Sequence, residues 1–444
     1  MNIILFLFIA TFFSLTLGEF GQYPFGNTTF SISMLDVLLT LGLSALLIWN
    51  IAIKKNLKLP RNFIFLMVFW AVSILGLFLS LDLSGWLYLL RFIIYSSTFY
   101  LTYHLVKSGI FALHEYLTLL KVTSVVLGIL GITQLIIHPK MGTLANYGYD
   151  PHIFRLFSTF LDPNLLGTFL NFGFILVIYE LISKQFTNLN LYVKENKWSL
   201  FSATILGISI ILTFSRSAYL MLVISSFIIL AMKNLKVLGG FAVLVLILYL
   251  IFPAFNSRIS GAFDIDASAN ERFSSWDKGI TIFQNNPIWG IGFNNIRSYS
   301  QQQDLIKIFS SDGGNSGAGI DSSLIFILAT TGIIGFLTYI LFLIKIITDL
   351  VSSATYNTKF FYNLQFQPVK LMKMIYKLPG LGKWYNEDTS IHSALKNNYL
   401  SLPLLSITAG LIAGSFFINS MFFSPIMFLW FSMLGVFYGS ESDS

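Results

Sequence analysis

Cysteine is absent from the 444 residues, which excludes disulfides, thiolate catalysis and Cys-ligated metal. Histidine occurs only five times, and singly, so a His-based metal cluster is not expected. Charge is the larger deficit. Asp, Glu, Lys and Arg make up 11% of the chain, against roughly a quarter in soluble domains. So few charges do not clothe a protein of this volume in water. There is no internal repeat, no Walker-type or dinucleotide glycine loop, and no coiled-coil heptad pattern. What fills the chain instead is apolar. Hydrophobic residues make up 55%, with 45 Phe, 20 Tyr and 8 Trp, and the mean hydropathy is +0.74. Length alone would suggest two or three soluble domains. The composition overrides it: the expected fold is an all-α, polytopic integral membrane protein.

A span needs about 20 mostly apolar residues, and twelve stretches qualify as candidates. They are Asn2–Leu17, Met34–Ile53, Asn62–Leu81, Trp86–Val106, Leu117–Ile137, Asn164–Ile182, Trp198–Phe214, Ser217–Met232, Val237–Phe252, Ser322–Ile344, Tyr399–Ile418 and Phe422–Phe437. Several run to only about 16 residues and need a thinned bilayer or protein cover. The first lacks the basic residues that precede a cleaved signal's apolar run, so it is read as a retained span. Its cleavage would leave the other spans oriented the same way. The expected organisation is spans one to nine over residues 1–252, an extracytoplasmic loop over 253–321, and spans ten to twelve over 322–444 with a basic cytoplasmic loop at 345–398. That inner loop is partly amphipathic, as in Val369–Lys377, and suits an interfacial helix on anionic headgroups.

Lysine sets the orientation. Seventeen of the 20 Lys fall on one side if every stretch crosses; Lys140, Lys278 and Lys307 do not. That side is cytoplasmic, and both termini lie on it. The seven Arg run the other way. Arg61 is inside, whereas Arg91, Arg155, Arg216, Arg258, Arg272 and Arg297 fall in the outer half or outside. Guanidinium is a planar, weakly hydrated fork suited to phosphate, so the asymmetry points to an anionic, phosphate-bearing ligand at the outer face. The alternative is chance together with local ion pairs to Asp150, Asp264, Asp266 and Glu271.

The long outer loop carries helical pattern. Ser268-Ala-Asn-Glu271 has the form of a capping box, and Phe273, Trp276, Ile280 and Phe283 follow at helical spacing over Glu271–Asn285. Pro287 ends that helix, and Gly290 and Gly292 give a tight turn. A second amphipathic helix is expected over Asn294–Phe309, then a flexible hinge at Ser310–Gly319. Such a loop resembles a lid over a cavity between spans.

Within this frame Arg216 is the most informative residue. Thr213-Phe-Ser-Arg-Ser217 joins two spans with almost no loop, so Arg216 and the next helix's free N–H groups converge on one point; the alternative is a snorkelling helix-end Arg. Arg272 stands in the first turn of the loop helix, where a cation opposes the dipole, and either reaches an anion or pairs with Glu271. Arg91 lies roughly 7 Å inside the fourth span, functional by position or snorkelling outward. Arg155 is open to ligand contact or a loop ion pair. Asp321 opens the tenth span and serves either as general base toward a hydroxyl or as a helix cap, for which Ser322 and Ser323 also suit.

These segments, in order, resemble the O-antigen ligase and polymerase superfamily of integral membrane glycosyltransferases. Phe157-Ser-Thr-Phe-Leu-Asp-Pro-Asn164 resembles its F-x-x-P-N segment, and Leu212–Ser217 its T-x-S-R turn. Arg272, Trp276 and Asn286-Pro-Ile-Trp-Gly-Ile-Gly-Phe293 resemble its R…W…P-x-x-G-x-G stretch. Asp321 through Gly332-Ile-Ile-Gly335 resembles the start of the span after its large loop, and Asn419–Pro425 also fits. The resemblance implies an undecaprenyl-diphosphate-linked glycan as donor, handled outside the bacterial cytoplasmic membrane. It implies that Arg216 and Arg272 hold the diphosphate. Asp321 is read from its position as the third catalytic residue, and Arg91, Arg155, Asn164 and Ser215 as candidate substrate contacts. No metal and no other cofactor is called for. Membrane lipids are expected partners, a chain-length regulator is a further candidate, and nucleic acid is not expected. The ligases carry His at the position of Asp321 and Asn at that of Ser322, which favours a polymerase acting on a lipid-linked acceptor. A ligase onto lipid A-core or protein is the enzyme alternative. A transporter of the same lipid is the alternative from another class, and it would place charge at the membrane centre rather than at one face.

Overall fold

The computed structural model describes residues 2–25, 30–52, 59–60, 62–142, 152–184, 188–233, 236–240, 243, 267–303, 319–356 and 399–440. The long apolar runs form helices: α1 (Asn2–Leu17), α2 (Met34–Ala52), α3 (Phe63–Leu79), α4 (Trp86–Ser96), α5 (Thr98–Lys107), α6 (Leu113–Ile137), α7 (Pro163–Ser183), α8 (Leu189–Leu212), α9 (Arg216–Lys233), α10 (Ala267–Asn285), α11 (Ile296–Gln302), α12 (Ser323–Tyr356), α13 (Ser401–Gly414) and α14 (Ser424–Gly439). Strands among the described residues are confined to two short antiparallel pairs. β1 (Gln22–Pro24) meets β2 (Ser31–Ser33), and β3 (Lys140–Met141) meets β4 (His152–Ile153) with Lys140 opposite Ile153 and Met141 opposite His152. Six described helices are long and apolar enough to cross a membrane: α1, α2, α6, α7, α9 and α12; α3, α13 and α14 are shorter apolar helices. Nine of the twelve expected spans coincide with these. The chain is a multi-pass, all-α membrane protein.

Two expected spans differ. The fourth is two helices, because the hydroxyls of Ser96 and Ser97 bond back to Phe92 O (2.6 Å) and Ile93 O (2.7 Å) and the helix pauses at Ser97. Such back-bonding competes with the helical ladder. The seventh begins nine residues earlier than expected, in α8, and kinks at Asn196, whose side chain donates to Tyr192 O (2.9 Å). The ninth, over 237–252, falls almost wholly outside the described residues.

Buried aromatics knit the bundle. Phe8 and Phe12 of α1 pack on Tyr116 of α6 and Phe428 of α14, mostly edge-on or tilted, and Phe92, Phe293 and Tyr339 gather round Phe422. Ring pairs at these edge-on and tilted angles add to the area they bury. Outward, the bundle shows Phe6, Phe13, Ile48, Ile51 and Phe78, each more than half exposed. A soluble protein does not carry so wide an apolar surface; a lipid-facing one does.

Polar contacts sort by end. At the end expected to face inward, Lys345 bonds Asp349 (2.9 Å), and Asp349 also accepts from Tyr438 (2.7 Å) and Asn62. Lys121 of α6 bonds Glu180 of α7 (2.6 Å), and Ser199 of α8 donates to the same carboxylate (3.0 Å). These residues sit at the span ends that charge and parity assign to one side. Lys345 corrects an expectation, because α12 runs on to Tyr356 and buries Lys345 instead of opening the basic loop there. The rest of that loop, 357–398, lies outside the described residues.

The outer loop contains α10 and a short α11. Helix α10 already includes Ala267, so Ser268 lies inside the helix and not at its cap. The second expected helix is seven residues long where described, and its continuation and the hinge over 304–318 lie outside the described residues. Between α10 and α11 the turn Pro287–Gly292 docks into α12. Gly332 breaks that helix with φ +64 and ψ −168. Ile333 N donates to Pro287 O (2.9 Å) and Ile291 N to Ala329 O (3.2 Å) across the break. Gly290, at φ +68, approaches so closely that a Cβ would lie 2.6 Å from Thr330 O. The glycines read as motifs in the sequence thus lock the loop to the span.

Candidate active site at one end of the bundle

Four segments converge at the end opposite the lysine-rich one. The first is the stretch after β4. Phe154 takes φ +52, Leu156 N donates to Leu212 O (2.9 Å), and Arg155 turns onto the end of α8. Its Nε donates to Thr213 O (3.0 Å), and its Nη2 to Asn164 Oδ1 (3.3 Å) and Phe214 O (3.5 Å). A cation there satisfies carbonyls that a helix terminus leaves without partners.

The second segment is the Thr213–Arg216 turn. It reverses through Phe214 at φ +48, a conformation that costs a non-glycine residue and that neighbouring contacts must hold. Arg155 is one such contact. Ser215 caps α9, its Oγ accepting from Ala218 N at 3.3 Å, and Arg216 is the first residue of that helix. Ser215 is buried and serves the turn rather than lining the cavity. Arg216 stands where the α9 dipole disfavours a cation and where an anion would gain from both.

The third and fourth segments are joined. Helix α10 presents Arg272, Ser275 and Trp276 at i, i+3 and i+4, one face of a helix. Ser275 Oγ accepts from Asp321 N (2.7 Å), and Trp276 Nε1 donates to Asp321 O (3.2 Å). The same face that carries Arg272 therefore grips the main chain of Asp321. The cap of α12 falls to Ser322, whose Oγ accepts from Ile325 N at 3.5 Å. One turn beyond Ser275, Lys278 is buried, and burial pulls its ammonium down to about 8.

Arg155, Arg216, Arg272 and Asp321 line one cavity of about 400 Å³, with His152, Asp162, Asn164, Glu271 and Asn419. Five of the seven expected site residues thus meet: Arg155, Asn164, Arg216, Arg272 and Asp321. Arg91 does not. Its Nε bonds Asp36 Oδ1 (3.0 Å), its Nη2 bonds Asp36 Oδ2 (2.7 Å) and Ser31 O, and it lies 4.1 Å from the Phe30 ring centre. Arg297 is exposed on α11, and Arg258 lies outside the described residues. The arginine asymmetry therefore has several causes, and three of its members share a cavity. Three carboxylates share it too, but Asp162 is committed to capping α7, accepting from Asn164 N (2.6 Å) and Leu165 N (3.1 Å).

The sequence did not single out His152, Asp162 or Glu271 as site residues. His152 reaches the cavity through the β3–β4 pairing, a two-residue ladder too short to read from alternation. Its ring nitrogen Nε2 lies 3.2 Å from Leu161 O, and its ring packs on Phe157 at 5.3 Å.

Residues 201–340 match the family model described as O-antigen ligase. The match covers about a third of the chain and supports its resemblance to the O-antigen ligase and polymerase superfamily. No curated protein matches the sequence. The matched segment runs from within α8 to the middle of α12, and so contains Arg216, Arg272 and Asp321. Arg155 and Asn164 precede it and come to the same cavity through the fold.

Proposed function

We propose that the protein is a glycan polymerase working on lipid-linked repeat units outside the cytoplasmic membrane. The donor is an undecaprenyl-diphosphate-linked glycan and the acceptor is a sugar hydroxyl of a second lipid-linked glycan. One observation carries the reading: Arg155, Arg216, Arg272 and Asp321 come from four separate segments and line a single cavity at one end of the bundle. In the reaction the acceptor oxygen attacks the anomeric carbon, the bond from that carbon to the diphosphate oxygen breaks, and undecaprenyl diphosphate departs. Asp321 takes the hydroxyl proton. Arg216, Arg272 and the α9 N-terminus meet the charge that grows on the leaving diphosphate, where fixed donors in a site shielded from water do most to lower a barrier. These guanidiniums stand in the role that a metal ion fills elsewhere, so the activity is expected to survive chelation. Arg155 positions the turn that carries Arg216.

The description of the matching family model favours a second reading, a ligase that moves finished glycan onto another acceptor. Purified protein given only lipid-linked repeats separates the two. A polymerase lengthens them, and a ligase leaves them unextended. Arg216→Ala is expected to lose elongation by roughly a hundredfold or more while the protein still inserts. Retained elongation in that variant would remove Arg216 from the mechanism.

A further inference from the structure

A second cavity of about 270 Å³ lies beside the first, and the two share Asn419, Phe422 and Phe423 as their common wall. Its remaining lining comes from the ends of α1, α2, α4 and α14, from the turn that follows α1, and from loop residues that include Asn294. None of the guanidiniums of the first cavity reaches it. Arg91 does line it, but Asp36 already holds that guanidinium through two bonds, so an anion finds little uncompensated charge here. One carboxylate, Glu19, also lines it, and the other polar groups are uncharged. Gln22, Asn294 and Asn419 bring side-chain amides, which both donate and accept, and Tyr88 and Phe422 bring rings. A few placed polar groups among aromatic walls are the usual form of a small-ligand site, and this volume is near the lower end of the roughly 300–1,000 Å³ such sites occupy. It fits the end of a ligand.

Asn419 adds an independent sign. Its side-chain oxygen is buried and accepts no hydrogen bond among the described residues. Such an atom is costly to leave unmade, and it stands in the wall between the cavities. A ligand hydroxyl would supply the missing donor.

We infer that the second cavity receives an uncharged sugar ring, the reacting end of the acceptor glycan, with Asn419 accepting a hydrogen bond from one of its hydroxyls. This rests on the glycosyl-transfer reading for the word acceptor; that the cavity binds a sugar stands on its own lining. It also gives Arg91 a different part from phosphate binding: paired with Asp36, it forms part of the wall of a sugar site.

The test uses full-length protein in lipid nanodiscs and two probes. Methyl glycosides of common hexoses and N-acetylhexosamines report the second cavity by saturation-transfer NMR, and undecaprenyl diphosphate reports the first by competition binding. Met34→Trp narrows the second cavity from an exposed lining position, and Asn419→Leu removes the acceptor oxygen. At least one glycoside is expected to bind, and to weaken by about fivefold or more in each variant. Undecaprenyl diphosphate binding should be unchanged in Met34→Trp, which also shows that this variant is folded. Arg216→Ala should have the opposite profile. Absence of binding by every glycoside overturns the inference, as does glycoside binding lost in Arg216→Ala but kept in Met34→Trp. Failure of undecaprenyl diphosphate to bind, with glycoside binding still sensitive to positions 34 and 419, sinks the donor reading and upholds the sugar cavity.

Discussion

Replacing Gly332 by alanine tests whether the outer loop is locked to the bundle or merely lies on it. The backbone there has φ +64 and ψ −168, a region open essentially to glycine, and an L residue forced into it loses about 1–3 kcal/mol. The new methyl would also press into the main chain at Ile288. If the turn withdraws to relieve this, the bonds from Ile333 N to Pro287 O and from Ile291 N to Ala329 O go with it, at about 1 kcal/mol each. Together the loss is about 3–5 kcal/mol, a large share of the roughly 5–15 kcal/mol by which domains hold together. Gly319→Ala is the control, since a Cβ there meets open space and its φ is not in the left-handed region. Thermal unfolding in detergent and limited proteolysis across 286–303 supply the readouts. Gly332→Ala should melt earlier and be cut sooner, and Gly319→Ala should match the parent protein. Equal melting and equal cutting in all three proteins would refute the lock.

Removing the carboxylate in Asp349→Ala leaves Lys345 buried without its ion-pair partner, and about 3–5 kcal/mol should be lost; the double variant Lys345→Met, Asp349→Leu should recover most of it in the same melt. Lys278 carries a pH signature. Burial pulls it down to about 8 from the ordinary lysine value of 10.5, so between those values the unfolded chain binds more protons and stability rises with pH. Below about pH 8 the burial penalty is constant. Lys278→Met should flatten the rise between pH 8 and 10.5, and an unaltered slope would reject burial as its cause. Arg155→Lys keeps the charge but cannot span Thr213 O, Phe214 O and Asn164 Oδ1 together. Elongation should fall by roughly a hundredfold through misplacement of Arg216, without loss of inserted protein.

Much of the candidate cavity was legible because charge in this chain is concentrated in scarce residues. Seven arginines in a chain with 11% charge leave few candidate positions, and the tight Thr213–Arg216 turn marks one that lines the cavity. Arg91 misled for a local reason. Its partner Asp36 opens a different helix 55 positions away, and no spacing rule links the two. Ser215 was read as a contact and proves to be a cap, since the same serine chemistry suits either use. Conversely, Asp321 has its capping duty taken by its neighbour Ser322, a choice between adjacent polar residues that propensity does not settle.

Sequence by itself determined that this chain lives in a membrane and where most of its long apolar helices lie, because hydropathy acts locally and additively along the chain. Tertiary structure alone decided which arginines meet, that the loop is pinned by Gly290 and Gly332, and that a second cavity shares a wall with the first. Those outcomes depend on which helices pack against which, and side-chain packing is a property of distant pairs that no single stretch of residues encodes.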